Sequence, residues 1–186
     1  MEIDAIKKKV LEDVDPRLRE EKLKQARRTR LVTSVEFVAL IVFLVVIFYI
    51  LMGIATVDGD SMYPTLHNKD KVVYLRRVSE YQAGDIIVLN RPNGEEYVKR
   101  IVAIAGDTVN IQAGKLYVNG KETEYKEALG ESIWMSDHVQ YPVEVGESEV
   151  FVLGDNREIS EDSRSFGSVD ISNIAGKLMF YVGRVR

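Results

Sequence analysis

From Phe37 to Val57 the chain runs for 21 residues without a formal charge, FVALIVFLVVIFYILMGIATV, and only Thr56 is neither apolar, aromatic nor glycine. A helix rises about 1.5 Å per residue and bilayer hydrocarbon is about 30 Å thick, so about 20 such residues reach across. A buried core helix would show polar positions at helical spacing, which this run lacks. A cleavable secretory signal is the alternative, but its apolar region spans only about 7–15 residues. The pattern predicts a membrane-anchoring helix over residues 31–57, with a polar segment, 1–30, in front and a separate domain, 58–186, behind.

Beyond the anchor the periodicity changes. Short apolar runs rich in Val, Ile and Tyr recur between turn residues, the signature of strands. They are KVVYLRRV (71–78), DIIVLN (85–90), EYVKRIVAI (96–104), KLYVNGK (115–121), EVFVLG (149–154) and KLMFYVGRV (177–185). Breaks fall at Gly84-Asp85, Pro92-Asn93-Gly94, Gly106-Asp107 and Asn119-Gly120, the last a type I′ hairpin signal. Residues 122–147 are more polar and read as loops with a short helix near Glu127. No long 3.6-residue period occurs after the anchor, so the prediction is a mainly β domain preceded by one transmembrane helix.

Charge adds an orientation. Residues 1–30 carry net +3 and residues 58–186 net −6, and Arg17, Arg19, Lys22, Lys24, Arg27, Arg28 and Arg30 crowd the segment before the span. Basic residues stay on the cytoplasmic side, so the N-terminus is expected there and 58–186 outside. A net charge of −4 gives no nucleic-acid signature. The absence of cysteine excludes disulfides, Cys-based zinc sites, iron–sulfur clusters and a thiol nucleophile, and two histidines make a His-rich metal site an unpromising reading. No motif implies a metal or organic cofactor.

Nucleophilic catalysis in such a chain falls to Ser or Thr with a base other than His. Lysine serves if burial keeps it neutral at working pH. In EYVKRIVAI, alternation puts Tyr97, Lys99, Ile101 and Ala103 on one face, so Lys99 is a candidate desolvated amine. It fits equally an edge-strand lysine whose head reaches water. Ser61, in VDGDSMYPTL four residues past the span, is the candidate nucleophile: Gly59 permits close backbone approach and Pro64 stiffens the loop. An ordinary turn serine fits that composition too.

Four boxes occur in order after the span: GDSMYPTL (59–66), GDIIVL (84–89), YVKRIVAIAGD (97–107) and GDNREISEDSRSFG (154–167). With them the chain resembles the bacterial type I signal peptidases, of the short single-span kind found in Gram-positive organisms, over essentially all of residues 35–186. The resemblance implies a β-rich peptidase fold, Ser61 as acyl nucleophile and Lys99 as general base. It implies that Ser160 hydrogen-bonds and orients the lysine, and that Asp162 and Arg164 form a structural ion pair. Asp155, Asn156 and Ser163 are implied in supporting roles. The backbone N–H of Ser61 is implied as an oxyanion donor, while Gly59 stands where some relatives carry a serine hydroxyl, leaving the second donor open. Substrates implied are exported preproteins with small residues at −1 and −3, in shallow pockets walled by Met62, Leu66, Tyr97 and Val98 with Val57 and Glu96 nearby. An extended substrate would add to the strand at 96–104.

The partners expected are thus preproteins and the lipid bilayer, with no nucleic acid; the oligomeric state is open, a monomer being the expectation. A membrane-anchored scaffold that kept the fold, a Ser–Lys autoprotease and a signal peptidase dedicated to a few surface-protein precursors are the competing readings.

Overall fold

The structure is a computed structural model and describes residues 2–14, 16–92, 94–133 and 135–183. It divides into two compact units, Met1–Tyr49 and Ile50–Arg186, which are described separately.

The first unit is helical: α1 (Glu2–Val14) and most of α2 (Pro16–Leu51). Every described side chain of α2 is exposed, including the apolar run from Phe37 to Leu51. Arg19–Leu51 is long and apolar enough to cross a membrane, with a mean hydropathy of 2.8 in its most apolar window. The helix stops at Leu51, short of the expected Val57, because the end of the apolar run is a strand, β1 (Met52–Thr56). Freedom from charge is common to both elements. What separates them is the pairing of Met52–Thr56, residue for residue, with Leu75–Lys71 of β2 (Lys71–Leu75).

The second unit is mainly β. Its remaining strands are β3 (Ile86–Asn90), β4 (Glu96–Ile104), β5 (Thr108–Gln112), β6 (Lys115–Val118), β7 (Lys121–Glu122), β8 (Val143–Glu144), β9 (Glu149–Leu153), β10 (Val169–Asp170) and β11 (Ile174–Val182). A one-turn helix α3 (Ser163–Phe166) and a 3₁₀ turn (Ile171–Asn173) complete it. Seven strands form one antiparallel sheet in the order β1-β2-β11-β3-β4-β9-β10, and four form a second, β7-β6-β5-β8. The Asn119-Gly120 turn joins β6 to β7 with φ of 54° and 74°, as a hairpin of this type requires. No helix forms near Glu127, where the described residues make turns and an isolated bridge between Leu129 and Asn156. Of the strand expected at 177–185, residues 184 and 185 lie outside the described residues.

Three apolar clusters fill the core. One joins Met62, Leu66, Val72, Tyr74, Val88 and Val98; one joins Val102, Ala103, Phe151 and Leu153 to Val109 and Leu116 of the small sheet; the third joins Ile87, Leu89, Ile101, Val150, Val152 and Ile174. Since Ile87 and Leu89 alternate with Val88, the large sheet is covered on both faces. Six successive residues of β4, Val98–Ala103, are accordingly buried. The expected alternation breaks after Ile101: it pairs with Val152, but Ala103 pairs with Phe151, so Val102 is an extra residue and Ala103 turns into the second cluster.

Candidate active site

The loop from Val57 to Asp70 joins β1 to β2 and is closed at its neck by Val57 N–H to Asp70 O (2.9 Å) and Lys69 N–H to Val57 O (2.8 Å). Within it Leu66 N–H donates to Met62 O (2.9 Å), and both side chains are wholly buried in the first cluster. These two anchors, with Asn156 N–H donating to Ser61 O at 3.0 Å, fix the backbone that presents half-buried Ser61. Gly59, at φ +85°, supplies the left-handed turn just before it, and its N–H donates to Asn68 Oδ1 (3.2 Å).

Lys99 arrives from β4. Its Nζ donates to Ser61 Oγ at 2.8 Å, and the residue is 4% exposed. The ring of Tyr97, two residues earlier on the strand, lies 5.2 Å from the same nitrogen. Burial lowers the Lys99 pKa to about 8, against the opposing pull of the Asp162 and Glu161 carboxylates. Dehydration of the amine is the larger effect, and the Arg164 guanidinium, paired with Asp162, adds a repulsion in the same direction.

Asp155 accepts both Arg100 Nε and Nη2 at 2.7 Å and also the Thr65 hydroxyl at 2.5 Å. One carboxylate thus ties the Ser61 loop to the residue next to Lys99. Asp162, wholly buried, accepts Arg164 Nε (2.8 Å) and Nη2 (2.9 Å), caps α3 through Arg164 N–H and takes Gly154 N–H at 3.0 Å. Ser163 Oγ accepts Val152 N–H at 2.9 Å. These residues make a hydrogen-bonded frame around the Ser61–Lys99 pair.

Ser160 departs from expectation. It is wholly buried, but its hydroxyl has no hydrogen-bond partner, so it does not hold Lys99. Ser160 Oγ lies over Gly154, at 2.1 Å from where a Cβ on that glycine would stand. The pocket walls also need correction. A cleft of about 320 Å³ opens at Ser61 and Lys99, with Tyr97, Val98, Val57 and Glu96 in its lining as expected. Met62 and Leu66 are outside its lining, because both are consumed by the core beneath the loop. Asp58, Asp60, Ile159 and Glu161 line it and were not anticipated. Arg100 was missed as well, although two adjacent cations in an apolar strand were a signal that one of them is paired inside.

The arrangement offers a buried amine of lowered basicity in contact with a serine hydroxyl, beside a cleft lined by Val57, Tyr97, Val98 and Ile159 together with several carboxylates. That is the equipment for amide attack by serine with lysine as proton carrier. A family model described as signal peptidase, peptidase S26, matches residues 28–182. Signal peptidase I S of Bacillus subtilis is 41% identical over 141 residues, covering 67% of this chain and 74% of that protein. Signal peptidase IB of Staphylococcus aureus is 34% identical over 142 residues, with the same two coverages of 67% and 74%. A crystal structure of a signal peptidase I from Enterococcus faecalis is 29% identical, covers 55% of this chain and 100% of its own, and has a TM-score of 0.47. With the family model running through most of its length, the chain belongs to the signal peptidase family, peptidase S26.

Proposed function

We propose that this peptidase removes signal peptides from exported preproteins at the outer membrane surface, with Ser61 as nucleophile and Lys99 as general base. The observation that carries the reading is the 2.8 Å contact between Lys99 Nζ and Ser61 Oγ at a lysine that is 4% exposed. Neutral Lys99 takes the Ser61 proton as Oγ attacks the scissile carbonyl. The Ser61 N–H, which donates to no acceptor among the described residues, is free to bind the oxyanion. Protonated Lys99 then gives its proton to the departing amine as the C–N bond breaks, leaving an ester on Ser61. Water, deprotonated by the same lysine, cleaves that ester and Ser61 recovers its proton.

Small residues at −1 and −3 suit a cleft of about 320 Å³ whose lining includes Val57, Tyr97 and Val98, since alternate side chains of an extended substrate point the same way. β4 pairs with β9 only from Arg100 onward, so among the described residues the 96–99 edge opposite β3 has no strand partner and accepts an added strand. The apolar helix α2, exposed along its described length, suits a bilayer anchor, and the basic residues before Phe37 favour a cytoplasmic N-terminus. Anchoring raises the effective concentration of membrane-held signal peptides. Asp155, Asp162 and Arg164 serve as supports, and a monomer suffices for the chemistry.

The test is cleavage of a preprotein bearing an Ala-x-Ala site in vesicles by wild type and Ser61→Ala, with protease protection to read orientation. Cleavage after the second alanine by wild type alone, with residues 58–186 outside, is expected. Equal cleavage by Ser61→Ala would overturn the assignment of the nucleophile.

A further inference from the structure

Arg91 stands at the turn between β3 and β4, where its N–H donates to Glu95 O (2.8 Å) and its carbonyl accepts Gly94 N–H (2.9 Å). Its guanidinium carbon lies 4.1 Å from the ring centroid of Phe166 and 5.5 Å from that of Tyr97. Its Nη2 is 3.9 Å from Glu161 Oε1, while Glu161 Oε2 accepts the Tyr97 hydroxyl at 3.4 Å. The Tyr97 ring in turn lies 5.2 Å from Lys99 Nζ, and Tyr97 and Glu161 both line the cleft. Arg91 thus clips the start of β4 to the loop that carries Glu161, without itself reaching Lys99 or Ser61.

The charged groups acting most strongly on Lys99 are Asp155, Asp162 and Arg164, from the loop after β9 and the start of α3, and Glu161 from the same loop, while Asp58 and Asp60 of the Ser61 loop and Glu96 of β4 line the same cleft. Ser61 and Tyr97 complete its surroundings. Asp155 and Asp162 are each held by two hydrogen bonds from an arginine, Arg100 and Arg164 respectively. Glu161 differs: it is largely exposed, and its cation is the partly exposed Arg91. Resting on the reading of Lys99 as general base, we propose that Arg91 is a positioning residue that acts on Lys99 through Glu161 and Tyr97, neutralising the carboxylate of the loop after β9 that no buried arginine holds. With Arg91 in place the Lys99 ammonium loses attraction from Glu161 and gives up its proton more readily. Without it, Glu161 retains the proton on Lys99 and activity begins at higher pH.

The test is the pH profile of kcat/KM on a peptide with an Ala-x-Ala site, using the full chain in detergent micelles. The enzymes are wild type, Arg91→Gln, Glu161→Gln, the double variant and Lys99→Met. Arg91→Gln should move the acidic limb up by about half a pH unit, the size fitting a partly exposed charge pair. Glu161→Gln should move it down, and the double variant should coincide with Glu161→Gln because the charge that Arg91 neutralises is gone. Arg91→Lys, which keeps the charge, should restore the wild-type limb and covers the case in which Arg91→Gln fails to fold. A limb unmoved in Arg91→Gln, with kcat/KM lowered evenly at all pH, would overturn the positioning role alone. An active Lys99→Met would overturn the base reading and this inference with it.

Discussion

Lys99 Nζ and Ser61 Oγ meet at 2.8 Å although 38 positions separate the two residues, one on the middle of a nine-residue strand and the other on a loop. The contact is made in a site where the amine is nearly dry, and its consequence is chemical: a lysine whose pKa falls to about 8 is partly neutral under physiological conditions. Activity needs the neutral amine, so kcat/KM should climb about tenfold per pH unit below about 8 and level off above it. A profile that declines as pH rises from 7 to 9 would contradict the assignment of Lys99 as base.

The same burial opposes folding. With the folded pKa near 8 and the unfolded value near 10.5, both states are protonated below 8, and there the cost of burying the charge is felt in full. The cost fades as pH rises from 8 to 10.5. Lys99→Met should therefore be inactive and more stable than wild type at pH 7, by at most about 3 kcal/mol, with the gain shrinking by pH 10. Urea unfolding at the two pH values measures it.

Gly154 has no room for a methyl group. A Cβ there would stand 2.1 Å from Ser160 Oγ and 2.5 Å from the backbone oxygen of Ser61. Gly154→Ala should cost about 1–3 kcal/mol and displace the Ser61 loop, lowering kcat rather than substrate affinity. Unchanged kcat in a folded variant would show that the loop tolerates the shift.

Removing a carboxylate from either buried frame strands an arginine. Asp155→Ala and Asp162→Ala should each destabilise by about 3–5 kcal/mol, since Arg100 and Arg164 are largely or wholly shielded from water. Lys69→Ala, which breaks the exposed pair with Asp58, should leave the unfolding midpoint nearly unchanged. Thermal unfolding of the three variants side by side distinguishes the two classes.

The longer strands β2, β3, β4, β6, β9 and β11 were legible because turn residues bound them, whereas Ser61 and Lys99 stood out only through the resemblance that the boxes around them carry. What depended on tertiary pairing was hidden. Met52–Thr56 reads as part of the apolar span until β2 is there to pair with it. The bulge at Val102 depends on the register with β9, so simple alternation carried Ala103 to the wrong face. Met62 and Leu66 look like pocket walls beside a reactive serine, but the hydrophobic cluster under the loop claims them first. Ser160 sits in the matching box, yet its buried hydroxyl makes no hydrogen bond among the described residues, which no sequence signal shows. Arg91 lies in a turn whose composition shows nothing of the two rings it contacts.

The central claim, that Ser61 is acylated with Lys99 as proton carrier, is tested most directly by intact-mass analysis of enzyme acid-quenched during turnover of a preprotein, followed by peptide mapping. The account predicts a transient adduct equal in mass to the signal peptide less one water, on the peptide containing Ser61, and none in Lys99→Met. An adduct on another residue, or undiminished acylation in Lys99→Met, would contradict it.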